Sequence, residues 1–192
     1  TYLTTVIDHG MNASTFTARV VASTQATWSA SLTAAVAALS GPLHGGAPGP
    51  VLDLLDKIEA GGVGVIDDEL AAGRRLMGFG HRIYRVRDPR AAVLEAAVAR
   101  LLAHAPAARR RRLELARDVE KTATKKLQQK SPDRPLPANV EFFTAVLLDA
   151  IGLPRGGFSA VFAAGRVAGW CAHVVEQRRL GKLIRPQSLF VP

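Results

Sequence analysis

The chain is 192 residues long and carries 25 Lys+Arg against 16 Asp+Glu, a formal net charge of +9. At 48% hydrophobic and 21% charged it has the composition of a folded chain with a core, which excludes a disordered tail. No uninterrupted apolar run approaches the roughly 20 residues that cross a bilayer. The single Cys171 excludes an internal disulfide framework and a thiolate zinc site, and it fits a reducing compartment, so a cytoplasmic location and no metal are expected. The positive excess points to anionic partners: nucleic acid, phosphates, carboxylates or acidic lipid.

Patterning favours helices almost throughout, so the expected fold class is all-α. The chain opens Thr1-Tyr2-Leu3, without Met, and reads as starting partway through an apolar element of a longer polypeptide. Residues 12–39 set Phe16, Val20, Trp28, Leu32, Val36 and Leu39 at near-helical spacing among Ala, Ser and Thr. Small residues let helix backbones approach closely, which predicts a buried helix or helix pair with Asn12 or Ser14 as N-cap. A Gly/Pro-rich loop over 41–50 precedes a short helix over about 51–60. After the Gly-rich residues 61–66, Asp67 predicts the cap of a helix reaching about Leu76. Met77–Arg87, with Gly78 and Gly80, reads as a loop. Pro89 at a helix N1 position starts a helix through about Ala103, Pro106 breaks it, and a basic helix covers roughly 107–130. Ser131–Ala138, with three prolines, reads as a linker. Helices over 139–151 and 158–178 flank a Gly/Pro turn, and 181–192 is irregular. The segment Val63–Ile66 is too short and Gly-rich to count as a strand.

Three histidines stand in loops beside glycines: His9 in Asp8-His9-Gly10, His44 in Leu43-His44-Gly45-Gly46, and His81 in Gly78-Phe79-Gly80-His81-Arg82. Glycine there allows close approach of backbone to a ligand; each histidine could equally cap a helix or pair with a carboxylate. Arg166 lies in an apolar run between Gly165 and Gly169, where a charge demands an anionic ligand or a carboxylate. Arg90 could pair with Asp88 or Glu95. His104 and His173 lie on helices and read as structural, His173 beside Trp170 and Val174.

The wording and order of these motifs resemble citrate synthase. The matching pieces are Asp8–Phe16, Gly41–Ala47, Met77–Tyr84, Asp88–Ala91, Ala138–Phe142, Gly165–His173 and Leu183–Pro186, spanning nearly the whole chain. In that family they belong to the C-terminal half of a chain about twice this length. The resemblance implies a Claisen-type condensation in which acetyl-CoA, oxaloacetate and water give citrate and CoA, with acetyl-CoA as substrate and no further cofactor. A thioester methyl group is so weakly acidic that a base must act together with a group stabilising the enol oxygen. His44 matches the enol-stabilising histidine, a role that suits a neutral imidazole and that a following helix N-terminus would favour. Glu141 stands where the family has its general base, usually aspartate. His81 matches the residue that polarises and protonates the oxaloacetate carbonyl. Arg90 and Arg166 match the oxaloacetate arginines, with His9 also contacting that substrate, and Arg185 matches an arginine contributed across a homodimer interface. Arg85 falls near the CoA phosphates, and Gly78, Phe79 and Gly80 resemble the segment that accepts the adenine.

Two residues depart from the family's wording. Glu141 is one methylene longer than aspartate, which moves the carboxylate by about an ångström unless the backbone compensates, and a shift of that size can change rate on the order of 10²-fold. Gly10 replaces the Glu that often follows the Asp-His pair. The basic run Arg109–Arg112, continued by Arg117, Lys121, Lys125 and Lys126, lacks aromatics and is interleaved with Glu114, Asp118 and Glu120. It therefore reads as a solvated helix face or an attractor for CoA, with no nucleic acid or membrane as partner. The resemblance divides the chain into part of a large helical domain, 1–46 and 156–192, whose other half is absent, and a small mobile helical domain, 47–155. The active site is expected between them. Within the same fold, 2-methylcitrate synthase with propionyl-CoA and citryl-CoA lyase remain open, as does a homologue that binds CoA or a dicarboxylate without turnover.

Overall fold

Helices α1 (Tyr2–Thr5), α2 (Ala13–Ser23), α3 (Trp28–Leu39), α4 (Pro48–Gly61), α5 (Val65–Ala71), α6 (Pro89–His104), α7 (Ala107–Lys130), α8 (Val140–Ala150) and α9 (Phe158–Leu180) follow one another along the chain. A 3-10 turn at Arg155–Gly157 leads into α9. The computed structural model describes residues 1–46, 48–80 and 88–189, and among them the only β pairing is an isolated antiparallel bridge between Phe79 and Ala138. The fold is all-α. It divides into two compact units, one of Thr1–Thr5 with Gly46–Phe158, the other of Val6–Gly45 with the chain from Ser159 onward.

In the second unit the 12–39 segment forms a helix pair. Asn12 caps α2 by accepting the Thr15 N–H, and Thr27 caps α3 by accepting the Ala30 N–H. The facing residues Ala18, Ala22 and Ala35 are completely buried together with Leu39, Trp170 and Val174. Small side chains on α2 and α3 thus make room for the indole of α9. By length and composition alone α9 could cross a membrane. In this unit, however, it buries Arg166, Trp170, Val174 and Gln177 in the protein.

In the first unit α8 is the hub, packed by α4, α6 and α7. Phe142, Phe143, Thr144, Ala145, Val146, Leu147 and Leu148 are all buried, as a helix apolar on every side requires. Two boundaries differ from the sequence expectation. The helix expected from about Val51 starts at Pro48, whose ring fits a first turn. The helix expected from Asp67 to Leu76 runs from Val65 to Ala71. Its first turn winds before Asp67 because Ile66 is fully buried, and Gly73 in the left-handed region (φ 70°) follows its end. Asp67 pairs with Lys126 instead of capping. Asp88 caps α6, and Arg112 on α7 binds Asp56 at 2.5 Å and Glu59 at 2.6 Å on α4.

Candidate active site

In the second unit, His44 sits in the turn after α3 and its Nε2 lies 2.9 Å from Ser14 Oγ. Ser14 is fully buried, and its hydroxyl accepts the Trp170 indole N–H at 3.2 Å. The serine proton therefore has two acceptors within reach, Asn12 Oδ1 at 2.8 Å and His44 Nε2. Donated to His44, it leaves the imidazole proton on Nδ1; donated to Asn12, it requires His44 to donate from Nε2. Burial, and then the nearby Arg166 cation, hold His44 below the ordinary histidine value of 6.5, so the ring is neutral at pH 7. These two causes act where the sequence had suggested a helix N-terminus.

Arg166 is 1% exposed. Its Nε donates to the Val6 carbonyl at 2.5 Å and its guanidinium lies 4.8 Å from the centre of the Phe162 ring. The guanidinium is thus oriented by a backbone carbonyl and an aromatic face. His9 is half-buried in the loop before α2. Burial of the adjoining Asp8 opposes its ionisation, but the Gly10 N–H and His173 outweigh that and hold its carboxyl below the usual range. Arg185 is exposed on the segment after α9, which Ser23 Oγ anchors by accepting the Ile184 N–H at 3.1 Å.

In the first unit, the Gly78–Gly80 segment lies antiparallel to Pro137–Asn139. The Gly80 N–H donates to Pro137 O and the Asn139 N–H to Gly78 O, each at 2.8 Å. Phe79 is buried against Phe142, ring centres 5.3 Å apart. Asn139 caps α8: its Oδ1 accepts the Glu141 N–H at 2.9 Å and the Phe142 N–H at 3.3 Å. Its Nδ2 donates to Gly80 O at 2.8 Å and to Glu141 Oε2 at 3.1 Å. One amide thereby joins the glycine motif, the helix start and the candidate base. Arg90 makes a two-pronged pair with Asp88, Nη2 to Oδ2 at 2.7 Å and Nε to Oδ1 at 3.1 Å, which fixes the plane of its guanidinium.

A cavity of about 340 Å³ opens beside Phe79, Gly80 and Leu136, and its remaining wall includes Arg74, Arg75, Lys130 and Arg134 without a carboxylate. Glu69 holds Arg74 at 2.6 Å, and Lys130 donates to Leu70 O at 2.8 Å. The sequence reading missed this cationic cluster, because its members come from the segment after α5, the end of α7 and the proline-rich linker. Only the fold brings them to the glycine motif. A larger cavity, about 530 Å³ and lined by Tyr2, Ala97, Arg100, Leu101 and His104 among others, contains none of the candidate residues. His81 and Arg85 lie outside the described residues. Groups of three or more His, Cys, Asp or Glu that could hold a metal do not occur among the described residues.

Residues 1–187 match the family model described as citrate synthase, C-terminal domain. The Mycobacterium tuberculosis protein named "Putative citrate synthase 2" is 52% identical over 192 residues, covering 99% of this chain and 50% of the relative. A citrate synthase of Synechocystis is 39% identical, covering 98% of this chain and 47% of the relative. Among solved structures, citrate synthase from Thermoplasma acidophilum, in a ternary complex with carboxymethyl coenzyme A and oxaloacetate, superposes with a TM-score of 0.83 at 33% identity, covering 99% of this chain and 50% of that one. The chain spans about half the length of the curated relatives it matches.

Proposed function

The chain belongs to the citrate synthase family, and we propose that its residues carry out the condensation of acetyl-CoA with oxaloacetate to citrate and CoA. The observation that carries this reading is the His44 environment: a neutral imidazole backed by a buried serine, which the indole N–H of Trp170 holds in place. Glu141 removes a methyl proton from the thioester while the His44 Nδ1–H, with Ser14 donating to Nε2, stabilises the enol oxygen. The enol carbon attacks the oxaloacetate carbonyl, whose oxygen takes a proton from His81. Water then cleaves the citryl thioester, releasing CoA and citrate. His9, Arg90, Arg166 and Arg185 hold the dicarboxylate. The plane fixed by Asp88 suits Arg90 to a carboxylate, and the buried seat of Arg166 raises the strength of its charge.

Phe79 and the two glycines receive the adenine. Arg85 and the cluster Arg74, Arg75, Lys130 and Arg134 attract the CoA phosphates. The reading includes a homodimer in which Arg185 acts across the interface, and a cytoplasmic location consistent with a lone thiol. The complete polypeptide is expected to release free thiol from acetyl-CoA only when oxaloacetate is present. Release from propionyl-CoA in preference would make it a 2-methylcitrate synthase, and cleavage of citryl-CoA without condensation would make it a lyase. Tight binding of either substrate with no thiol release from either thioester would overturn the enzymatic reading.

A further inference from the structure

His173 lies on α9 one turn beyond Gly169, and by spacing it reads as a packing residue. The structure gives it polar partners on two sides. Its Nδ1 is 3.1 Å from Arg19 Nη1, and its Nε2 is 3.0 Å from Asp8 Oδ1. A guanidinium can only donate, so in the neutral ring Nδ1 accepts and the proton sits on Nε2, given to Asp8. Arg19 is itself buried and anchored, by Glu176 Oε2 at 2.8 Å and Gln177 Oε1 at 3.2 Å. It is a fixed post, unlike a swinging surface arm.

Asp8 uses its other oxygen, Oδ2, to accept the Gly10 N–H at 3.1 Å. The residue enclosed between these two bonds is His9. Gly169 makes the contact geometrically accessible: a Cβ there would fall 2.0 Å from the Ile7 carbonyl oxygen, so only glycine lets the backbone before Asp8 press against α9. The same cluster reaches the other end of the unit, because Gln177 Nε2 donates to Lys182 O at 2.9 Å, three residues before Arg185.

We propose that His173 is a positioning residue for dicarboxylate binding: it relays the fixed Arg19 to Asp8 and so holds the Asp8–Gly10 turn that presents His9. The inference rests on the role given to His9 above. A packing role would be met by any side chain of similar volume, whereas this relay needs an acceptor at the Nδ1 position and a donor at the Nε2 position.

Two substitutions in the complete polypeptide separate those needs. His173→Asn keeps an oxygen facing Arg19 but falls short of Asp8, while His173→Gln extends an amide N–H to the Nε2 position. We expect His173→Asn to raise the KM for oxaloacetate about tenfold, the loss of one hydrogen bond to a charged group, with kcat within about threefold of wild type. The KM for acetyl-CoA should not move, and His173→Gln should recover part of the loss, because it reaches Asp8 without an acceptor at the Nδ1 position. Backbone amide hydrogen exchange at Gly10 should accelerate in His173→Asn and return toward wild type in His173→Gln, with equal Tm in both. Equal oxaloacetate KM in wild type and both variants, or Gly10 exchange unchanged in a folded His173→Asn, would overturn the proposal. If the wild-type polypeptide neither binds nor turns over oxaloacetate, the functional reading fails. Exchange at Gly10 then still decides whether His173 holds the turn.

Discussion

Asn139 grips Glu141 at both ends of the residue, accepting its backbone N–H at 2.9 Å and donating to its carboxylate at 3.1 Å. The carboxylate is therefore positioned by the residue that starts its helix, and the same amide nitrogen reaches Gly80. Asn139→Ala removes the cap, a loss of about 1 kcal/mol, and leaves the buried end of the Gly80 carbonyl short of a donor. Asn139→Asp keeps the cap acceptor but puts a second carboxylate beside Glu141. Both variants should lower kcat by about 10²-fold, since each frees the base from its position. Both should also lower Tm, because each deprives the Gly80 carbonyl of its Asn139 Nδ2 donor, and Asn139→Asp alone retains the cap acceptor. Steady-state kinetics and thermal unfolding, run side by side, separate the two effects.

Glu141 carries the longer of the two acidic side chains, and Asn139 is bonded to the end of it. Shortening it should therefore be harmful here. Glu141→Asp pulls the carboxylate back from Asn139 Nδ2 and should reduce kcat by at least about tenfold, with the acetyl-CoA KM little changed. Glu141→Gln keeps the length but removes the base, and should reduce kcat by about 10²- to 10⁴-fold. An aspartate variant as active as wild type would show that the extra methylene is not matched to its surroundings.

How much of this was legible in the sequence depended on whether the signal was local. Asn12, Asp88 and Asn139 sit as caps where a short polar residue meets an apolar period, and α6 and α7 end where Pro106 and the proline-rich linker dictate. The start of α5 was not legible, because burial of Ile66, a tertiary event, outweighed the capping preference of Asp67. The same division holds at the site. His44, Glu141 and Arg166 stand out by motif, but Ser14 reads as one serine among many until Trp170 and His44 converge on it from 156 and 30 residues away. The cluster of Arg74, Arg75, Lys130 and Arg134 is likewise assembled from segments that share no pattern. Arg90 had two readings, and the structure contains its pair with Asp88.

Gly80 should resist substitution for two separate reasons. Its φ is +74°, and an added Cβ would lie 2.6 Å from Leu136 Cδ2. Gly80→Ala should lower stability by more than about 1 kcal/mol, since both the backbone conformation and the space are wrong for alanine. Because Leu136 also borders the cationic cavity, the KM for acetyl-CoA should rise while that for oxaloacetate stays put. Equal stability of the alanine variant in denaturant melts would contradict the packing seen at this turn.

The cationic cavity predicts a salt dependence confined to one substrate. Replacing Arg134 and Lys130 together with Gln should raise the acetyl-CoA KM several-fold at low ionic strength. The difference from wild type should shrink as salt is added, because exposed charges are screened over about 10 Å at 0.1 M. Dephospho-CoA thioesters, lacking one phosphate, should be less affected by the double substitution than acetyl-CoA itself. A KM for acetyl-CoA that ignores both the substitution and the salt would remove this cluster from the binding site.

His44 gives the last prediction, in two parts that share a cause. Burial and the Arg166 cation hold its pKa below 6.5, the ordinary value it regains on unfolding. Above pH 6.5 neither state binds the proton and the contribution to stability is complete. As pH falls from 6.5 toward the folded value, the unfolded chain takes up a proton that folded His44 refuses, so stability is lost. Wild type should therefore lose stability more steeply between pH 7 and 5.5 than His44→Asn, measured by denaturant unfolding at each pH. The second part concerns Ser14, whose hydroxyl decides which ring nitrogen carries the proton. Ser14→Ala deprives the Trp170 N–H of its acceptor, a penalty of about 1–3 kcal/mol, and no longer directs the imidazole proton to Nδ1. kcat should fall by about 10- to 100-fold with both KM values nearly constant, the pattern of an interaction made mainly in the transition state. A kcat close to wild type in a folded Ser14→Ala variant would mean that His44 acts without its buried partner, and that the hydroxyl serves only to satisfy the indole.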